Sequence, residues 1–239
     1  LAAAAIISGI LGPVEVSQFS KAEYSVYVSG GSWTNACLQE EAAVDMEFTA
    51  PDGSHGLLPC FYSGSDSLWT ARFTPSQAGT YLVRFVYSQG GEPASDFEDL
   101  RLVVDPSEAK GFLRPRDSWT FRFDDGTPFR GVGENICWES RAADDNPHLS
   151  ELHQKADVYN YDVMLPRLKE HGGNFTRIWM CSWNFPIDRH SDFNNPRYTD
   201  SDEYFNPSAV ERLDHVVELA EADEFSFTLE DILKEYSGK

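Results

Sequence analysis

The sequence predicts a chain in two parts: an antiparallel β-sandwich over residues 1–105, then an α/β part over 111–239 built on a parallel sheet. Three observations carry this. The first half alternates apolar and polar residues between closely spaced turn formers, with no helical period. From Gly111 the rhythm becomes strand, helix, strand, helix, the pattern of parallel pairing. Between them lies "VDPSEAKG", a short polar linker with one proline.

The first-half strands are read in "AEYSVYVS", "AVDMEFTAPDG", "SLWTARFTP", "TYLVRFVYS" and "DLRLVVD". Pro51-Asp52-Gly53, Ser63-Gly64-Ser65 and Gln89-Gly90-Gly91 separate them as turns. The N-terminal "LAAAAIISGILG" fits a first strand, Ile6 to Val16, or the end of a secretory segment that lacks its basic start. In "TPSQAGTYLVRF", Tyr81 resembles the tyrosine corner of immunoglobulin-like domains, whose hydroxyl ties a loop back to the strand start. Val83 stands where such a domain has its second inter-sheet cysteine.

In the second half, "SWTFRFDDGTPFRGVG" reads as a hairpin turning at Asp125-Gly126, followed by the apolar strand "GVGENICW". Tyr161, Met164, Leu165 and Leu168 mark an amphipathic helix ended by Gly172-Gly173, with Pro166 as a kink or a late start. "NFTRIWMC" is the next strand. A second helix begins at Asn206 as N-cap and Pro207 as first residue, with Val210, Leu213, Val217 and Ala220 as its buried stripe. Two long loops come after the strands, at about 139–160 and 182–205. Their Asp, Asn, Arg and aromatic residues suit a hydroxyl-rich ligand or a structural cover.

The chain has 239 residues, is 41% hydrophobic and 13% aromatic, and can build real cores. A net charge of -20 argues against nucleic acid and anionic membranes and fits a neutral or cationic ligand. No apolar run is long enough for membrane insertion. The four cysteines form no metal-binding spacing, so no metal or cofactor is expected; Cys37 with Cys60 and Cys137 with Cys181 are open as disulfides or thiols. Asn174-Phe175-Thr176 is a formal glycosylation sequon, set aside because it falls on a buried strand.

The order of these segments, above all "FRFDDGTPF", "GVGENICW" and "GGNFTRIWMCSW", resembles bacterial multidomain glycoside hydrolases of the retaining, cellulase-like clan. These carry an N-terminal immunoglobulin-like module before a (β/α)8 barrel. The resemblance covers about residues 10–222 and implies a secreted, periplasmic or cell-surface protein that acts on a β-linked glycan. It also implies that Arg177 steadies a nucleophilic carboxylate, since a guanidinium holds a carboxylate planar and ionised. Glu134 and Asn135 would line the cleft, and Trp138, Trp179 and Trp183 would offer platforms for sugar faces. The alternatives at those positions are an ion pair of Arg177 with Glu134 or Asp188, and plain packing for the tryptophans.

A full barrel takes about 250 residues, roughly twice the length of chain after Gly111. The clan's acid/base and nucleophile come after its fourth and seventh strands, so neither position falls here. The expectation is therefore an incomplete barrel, inactive as it stands. Its raw edges would invite self-association or completion by a further barrel segment. After Ala222, "FSFTL" reads as a brief third strand and "LEDILKEYSG" as a helix, or the stretch joins across a deletion, frameshift or missing segment. The alternative function is a non-catalytic carbohydrate-binding or cell-surface structural module.

Overall fold

The computed structural model describes residues 5–63, 67–138, 160–193, 195–222 and 226–231, with backbone alone at 98–99 and 226–231. The chain divides into two compact units, Leu1–Pro128 and Phe129–Lys239. It is β-rich, with two α-helices among the described residues.

In the first unit, β1 (Ile6–Leu11), β3 (Ala22–Ser29), β7 (Leu68–Phe73) and β6 (Phe61–Tyr62) form one sheet in the order β1-β3-β7-β6. The second sheet has the order β2-β9-β8-β4-β5, from β2 (Glu15–Ser17), β4 (Ala42–Thr49), β5 (His55–Pro59), β8 (Gly79–Gln89) and β9 (Glu92–Asp105). The long strands bury alternate residues, and the two inner faces share one core. Tyr24, Val26, Trp69 and Ala71 of the first sheet meet Met46, Tyr81, Phe85, Tyr87 and Leu102 of the second. Side chains of this size contribute about 1.5–3 kcal/mol each on full burial. The result is the predicted sandwich. Gly90 and Gly91, both at positive φ, close the β8–β9 hairpin, where a two-residue turn must match the strands' twist. Gln77 N donates to the Tyr81 hydroxyl at 3.1 Å, the tie expected of that tyrosine.

The expected single strand from Ile6 to Val16 is two. β1 pairs antiparallel with β3 in one sheet, and β2 pairs parallel with β9 in the other. Pro13 has no N–H for a ladder. A Cβ on Gly12 would lie 2.2 Å from the Tyr24 ring, so the chain passes close over that ring as it changes sheets. Neither disulfide forms; all four cysteines are thiols. Burial, then the nearby Asp45 charge, pushes the Cys60 thiol up to about 12, which leaves it an unreactive core group.

A small sheet, β10 (Leu113–Pro115), β11 (Phe121–Phe123) and β12 (Pro128–Phe129), contains the predicted hairpin and adds a strand before it. Phe112 packs edge-on against Phe19 of the sandwich unit at 5.6 Å. The hairpin thus groups with the first unit rather than with the segment after it.

The second unit holds a three-stranded parallel sheet, β13 (Gly133–Asn135), β14 (Phe175–Met180) and β15 (Ser226–Asp231), in the order β13-β14-β15. The brief third strand read in "FSFTL" is therefore present. The helix read after it falls outside the described residues. Gly133 sits opposite Phe175, where a Cβ would lie 1.7 Å from the Phe175 carbonyl oxygen, so only glycine allows the two strands this approach. Asn174 stitches the same entry: its side chain accepts from Val132 N and donates to the Arg130 carbonyl.

Helix α1 (Asn160–Glu170) contains Pro166 and buries Tyr161 and Leu165, as the spacing predicts. Helix α2 (Pro207–Ala222) is capped by Asn206, whose side-chain oxygen accepts from Ala209 N at 3.2 Å. Its buried stripe is turned from the expected one. Ala209, Arg212, Val216 and Ala220 are buried, whereas Val210 is 38% exposed. Arg212 draws that face inward, with Nε donating to the Arg197 carbonyl and its guanidinium over the Tyr198 ring. His215 and Asp162, 2.6 Å apart, join the two helices. No helix among the described residues is long and apolar enough to cross a membrane.

Candidate functional site

Alternation along β14 separates two kinds of side chain. Thr176 and Ile178 are buried on the side that packs on α1 and α2, where Ile178 meets Ile136, Tyr161, Leu165 and Val216. Arg177 and Trp179 occupy the opposite side, and the Arg177 guanidinium lies over the Trp179 ring at 5.2 Å. Such stacking is worth about 0.5–2 kcal/mol and holds the guanidinium against the indole.

The strands run parallel, so the residues after β13 and after β14 emerge at one edge, the carboxyl edge. Trp138 comes from the first and Trp183 from the second. Their rings join Trp179 in one cluster: Trp138 is 5.4 Å from Trp179 and 5.9 Å from Trp183. The three tryptophans picked from sequence and Arg177 are thus brought together. The other two residues fall differently. Asn135 pairs in register with Arg177 and shares its side of the sheet. Glu134 pairs with Thr176, which places it on the helix side; its carbonyl accepts from the Thr176 hydroxyl at 3.0 Å.

The indole nitrogens of Trp179 and Trp183 are buried and have no hydrogen-bond partner among the described residues. A buried donor left unsatisfied costs about 1–3 kcal/mol, which a ligand oxygen would recover. Aromatic faces, a fixed guanidinium and two buried N–H donors without partners among the described residues, at the carboxyl edge of a parallel sheet, suit a polyhydroxylated ligand.

The loop 182–205 is built rather than slack. Cys181 and Asn184 exchange backbone hydrogen bonds, and the Asn184 amide donates to the Trp179 carbonyl at 2.7 Å and to the Tyr161 hydroxyl at 3.1 Å. Phe185 stacks on Tyr161 and its N–H donates to the Tyr198 hydroxyl. Sequence reasoning missed Asn184, the residue that fixes the backbone beside Trp183. No period or motif marks it, and only its fully buried side chain reveals the role. Beside it a cavity of about 200 Å³ is lined by Met180, Cys181, Phe185, Pro186, Ile187, Asp188 and Phe205. That is below the usual 300–1,000 Å³ of a ligand site. Of the first long loop, residues 139–159 lie outside the described residues. No cluster of metal-binding side chains occurs among those described.

No protein-family model matches the chain, and no curated protein matches it. Among solved structures, one described as a putative glycoside hydrolase from Bacteroides vulgatus ATCC 8482 superposes with TM-score 0.60 at 17% identity, over 91% of this chain and 41% of that one. The present chain therefore spans less than half the length of that structure, and at this identity the likeness is one of fold. The filamin domain of Lin-41 matches 44% of the chain with TM-score 0.30 at 16% identity, covering 94% of its own length. A PKD domain of an M14-like peptidase from Thermoplasmatales archaeon SCGC AB-540-F20 matches 44% with TM-score 0.29 at 15% identity, covering 99% of its own length.

Proposed function

We propose that this chain is the glycan-binding opening of a glycoside hydrolase. The observation that carries the reading is the cluster of Trp138, Trp179 and Trp183, with Arg177 stacked on Trp179 and two buried indole N–H groups lacking acceptors among the described residues. The fold likeness to the Bacteroides vulgatus structure supports it. In the complete protein the β13–β15 sheet opens a (β/α)8 barrel. Its interior is the side carrying Asn135, Arg177 and Trp179. Arg177 then orients a carboxylate supplied by a later strand, and the reaction is retaining hydrolysis of a β-linked glycan outside the cell. Within this chain Arg177 positions a reacting group, and the tryptophans hold sugar.

This chain alone binds glycan without cleaving it. The test is paired: isothermal titration with neutral β-linked oligosaccharides, and turnover of aryl β-glycosides. Binding that is lost in W138A and W183A, with turnover at background, is expected. Turnover well above background, or binding indifferent to both substitutions, overturns the reading. The sheet's outer strands, β13 and β15, are where a further barrel segment or a second copy would add. A larger species in size-exclusion chromatography tests the second case.

A further inference from the structure

We propose that the β10–β11 hairpin is a second glycan site, one that selects anionic sugars bearing carboxylate or sulfate groups; it rests on the carbohydrate-directed reading above. Charge is the first observation. Residues 110–130 hold five of the chain's 19 Lys and Arg but only three of its 39 Asp and Glu, in a protein of net charge -20. This is a local positive surface on an acidic molecule.

Register sharpens it. Arg114 pairs directly with Arg122 across the antiparallel ladder, and Arg116 N donates to the Thr120 carbonyl at the next step. Arg114, Arg116 and Arg122 therefore share one face. Like charges placed opposite one another destabilise a strand pair unless an anion lies between them. Arg114 is bound to Asp124, its Nε donating at 3.0 Å, but the guanidinium groups of Arg116 and Arg122 have no ion pair or hydrogen bond among the described residues. Along one strand, residues 114 and 116 stand about 7 Å apart.

The hairpin's tip supplies an aromatic surface. Trp119 is 90% exposed, and leaving such a ring in water is unfavourable. The backbone that carries it is tied down. Asp117 accepts from Trp119 N and Thr120 N, each at 2.8 Å, and from the Thr120 hydroxyl at 2.7 Å. The preorganised backbone of the tip loses little freedom on binding, although Arg116, which also acts on the Asp117 carboxylate, and Arg122 must still be ordered. The ring takes the C–H face of a sugar and the guanidiniums take its acid groups. The ligand must also approach a molecule of charge -20. A nucleic-acid strand carries a charge about every 3.4 Å and is repelled more strongly than a glycan with one acid group per sugar, whose charges lie further apart.

The experiment is isothermal titration of the full 239-residue chain with four probes. These are oligogalacturonate and chondroitin sulfate oligosaccharides, a neutral cello-oligosaccharide, and oligo-dT. The acidic sugars should bind; W119A and the double variant R116A/R122A should each weaken that binding about tenfold or more, while W138A/W183A leaves it unchanged. R116K/R122K should restore much of it. Trp119, Arg116 and Arg122 are exposed, so their variants should melt at the parent temperature. No affinity for either acidic sugar, affinity that survives R116A/R122A, or tighter binding of oligo-dT than of both sugars overturns the inference. Retained acidic binding with no response to the neutral sugar instead sinks the tryptophan-cluster reading and leaves this one standing.

Discussion

The sandwich and the parallel-sheet unit are held together by different means. The sandwich interlocks large rings from two sheets: Trp69, Tyr81, Phe85 and Tyr87 are all essentially inaccessible to water. The second unit has a smaller apolar core around Tyr161, Leu165, Ile178 and Val216. It relies more on single fits of the backbone: glycine against a carbonyl at Gly133, the Asn206 cap, and the Asn184 amide on the Trp179 carbonyl. A two-sheet core spreads its stability over many interchangeable contacts. The parallel sheet concentrates it at a few positions, such as Gly133 and Asn184.

Substitutions can break or sharpen this contrast. Phe85→Ala removes a fully buried ring from the sandwich and should cost about 3–5 kcal/mol in urea unfolding. A loss under about 1 kcal/mol would mean the aromatic core is not the main support. Gly133→Ala should cost the second unit about 1–3 kcal/mol, because a methyl group cannot coexist with the Phe175 carbonyl at its present distance. Hydrogen exchange at the amides of 175–180 should report the loosened pairing. Asn206→Ala should cost about 1 kcal/mol through the lost cap, with Asn206→Ser close to neutral.

The smallest effect is one of pH, in the sandwich. Hydrogen bonds from the Ser54 hydroxyl, then from the Ser54 N–H and the Gln77 amide, hold the Asp52 carboxyl down to about 2. The ordinary value is about 3.9. The folded form thus favours the ionised group, and that stabilisation is complete above about pH 4 and lost as pH falls toward about 2. The urea midpoint should drop over that interval, and less steeply in Asp52→Asn. Equal slopes for the two proteins would show that the turn does not hold the charge.

The two regions were also unequally legible from sequence. Period-two alternation marks an antiparallel strand wherever one face is buried, so β3, β4, β7, β8 and the end of β9 could be read directly, whereas the short β5 and β6 could not. The crossing from β1 to β2 could not, because Gly12-Pro13 signals a break without saying which sheet receives the chain. In the second unit Asn206, Pro207 and Gly172 are local signals and read true. The turned face of α2 is not local: it depends on Arg212 finding the Arg197 carbonyl and the Tyr198 ring, contributed by a loop without period. The sides taken by Glu134 and Asn135 likewise depend on register with β14, which only three-dimensional pairing decides. The candidate site was legible as a cluster of residue types, whereas the indole N–H groups without a partner among the described residues were not.

The most direct test of the central claim, that the side of β14 carrying Arg177 and Trp179 accepts sugar, uses the indole N–H resonances of the protein's six tryptophans. A neutral β-linked oligosaccharide should shift the signals of Trp138, Trp179 and Trp183 and leave those of Trp33 and Trp69, packed in the sandwich, in place. Saturating sugar that moves none of the three would contradict the claim.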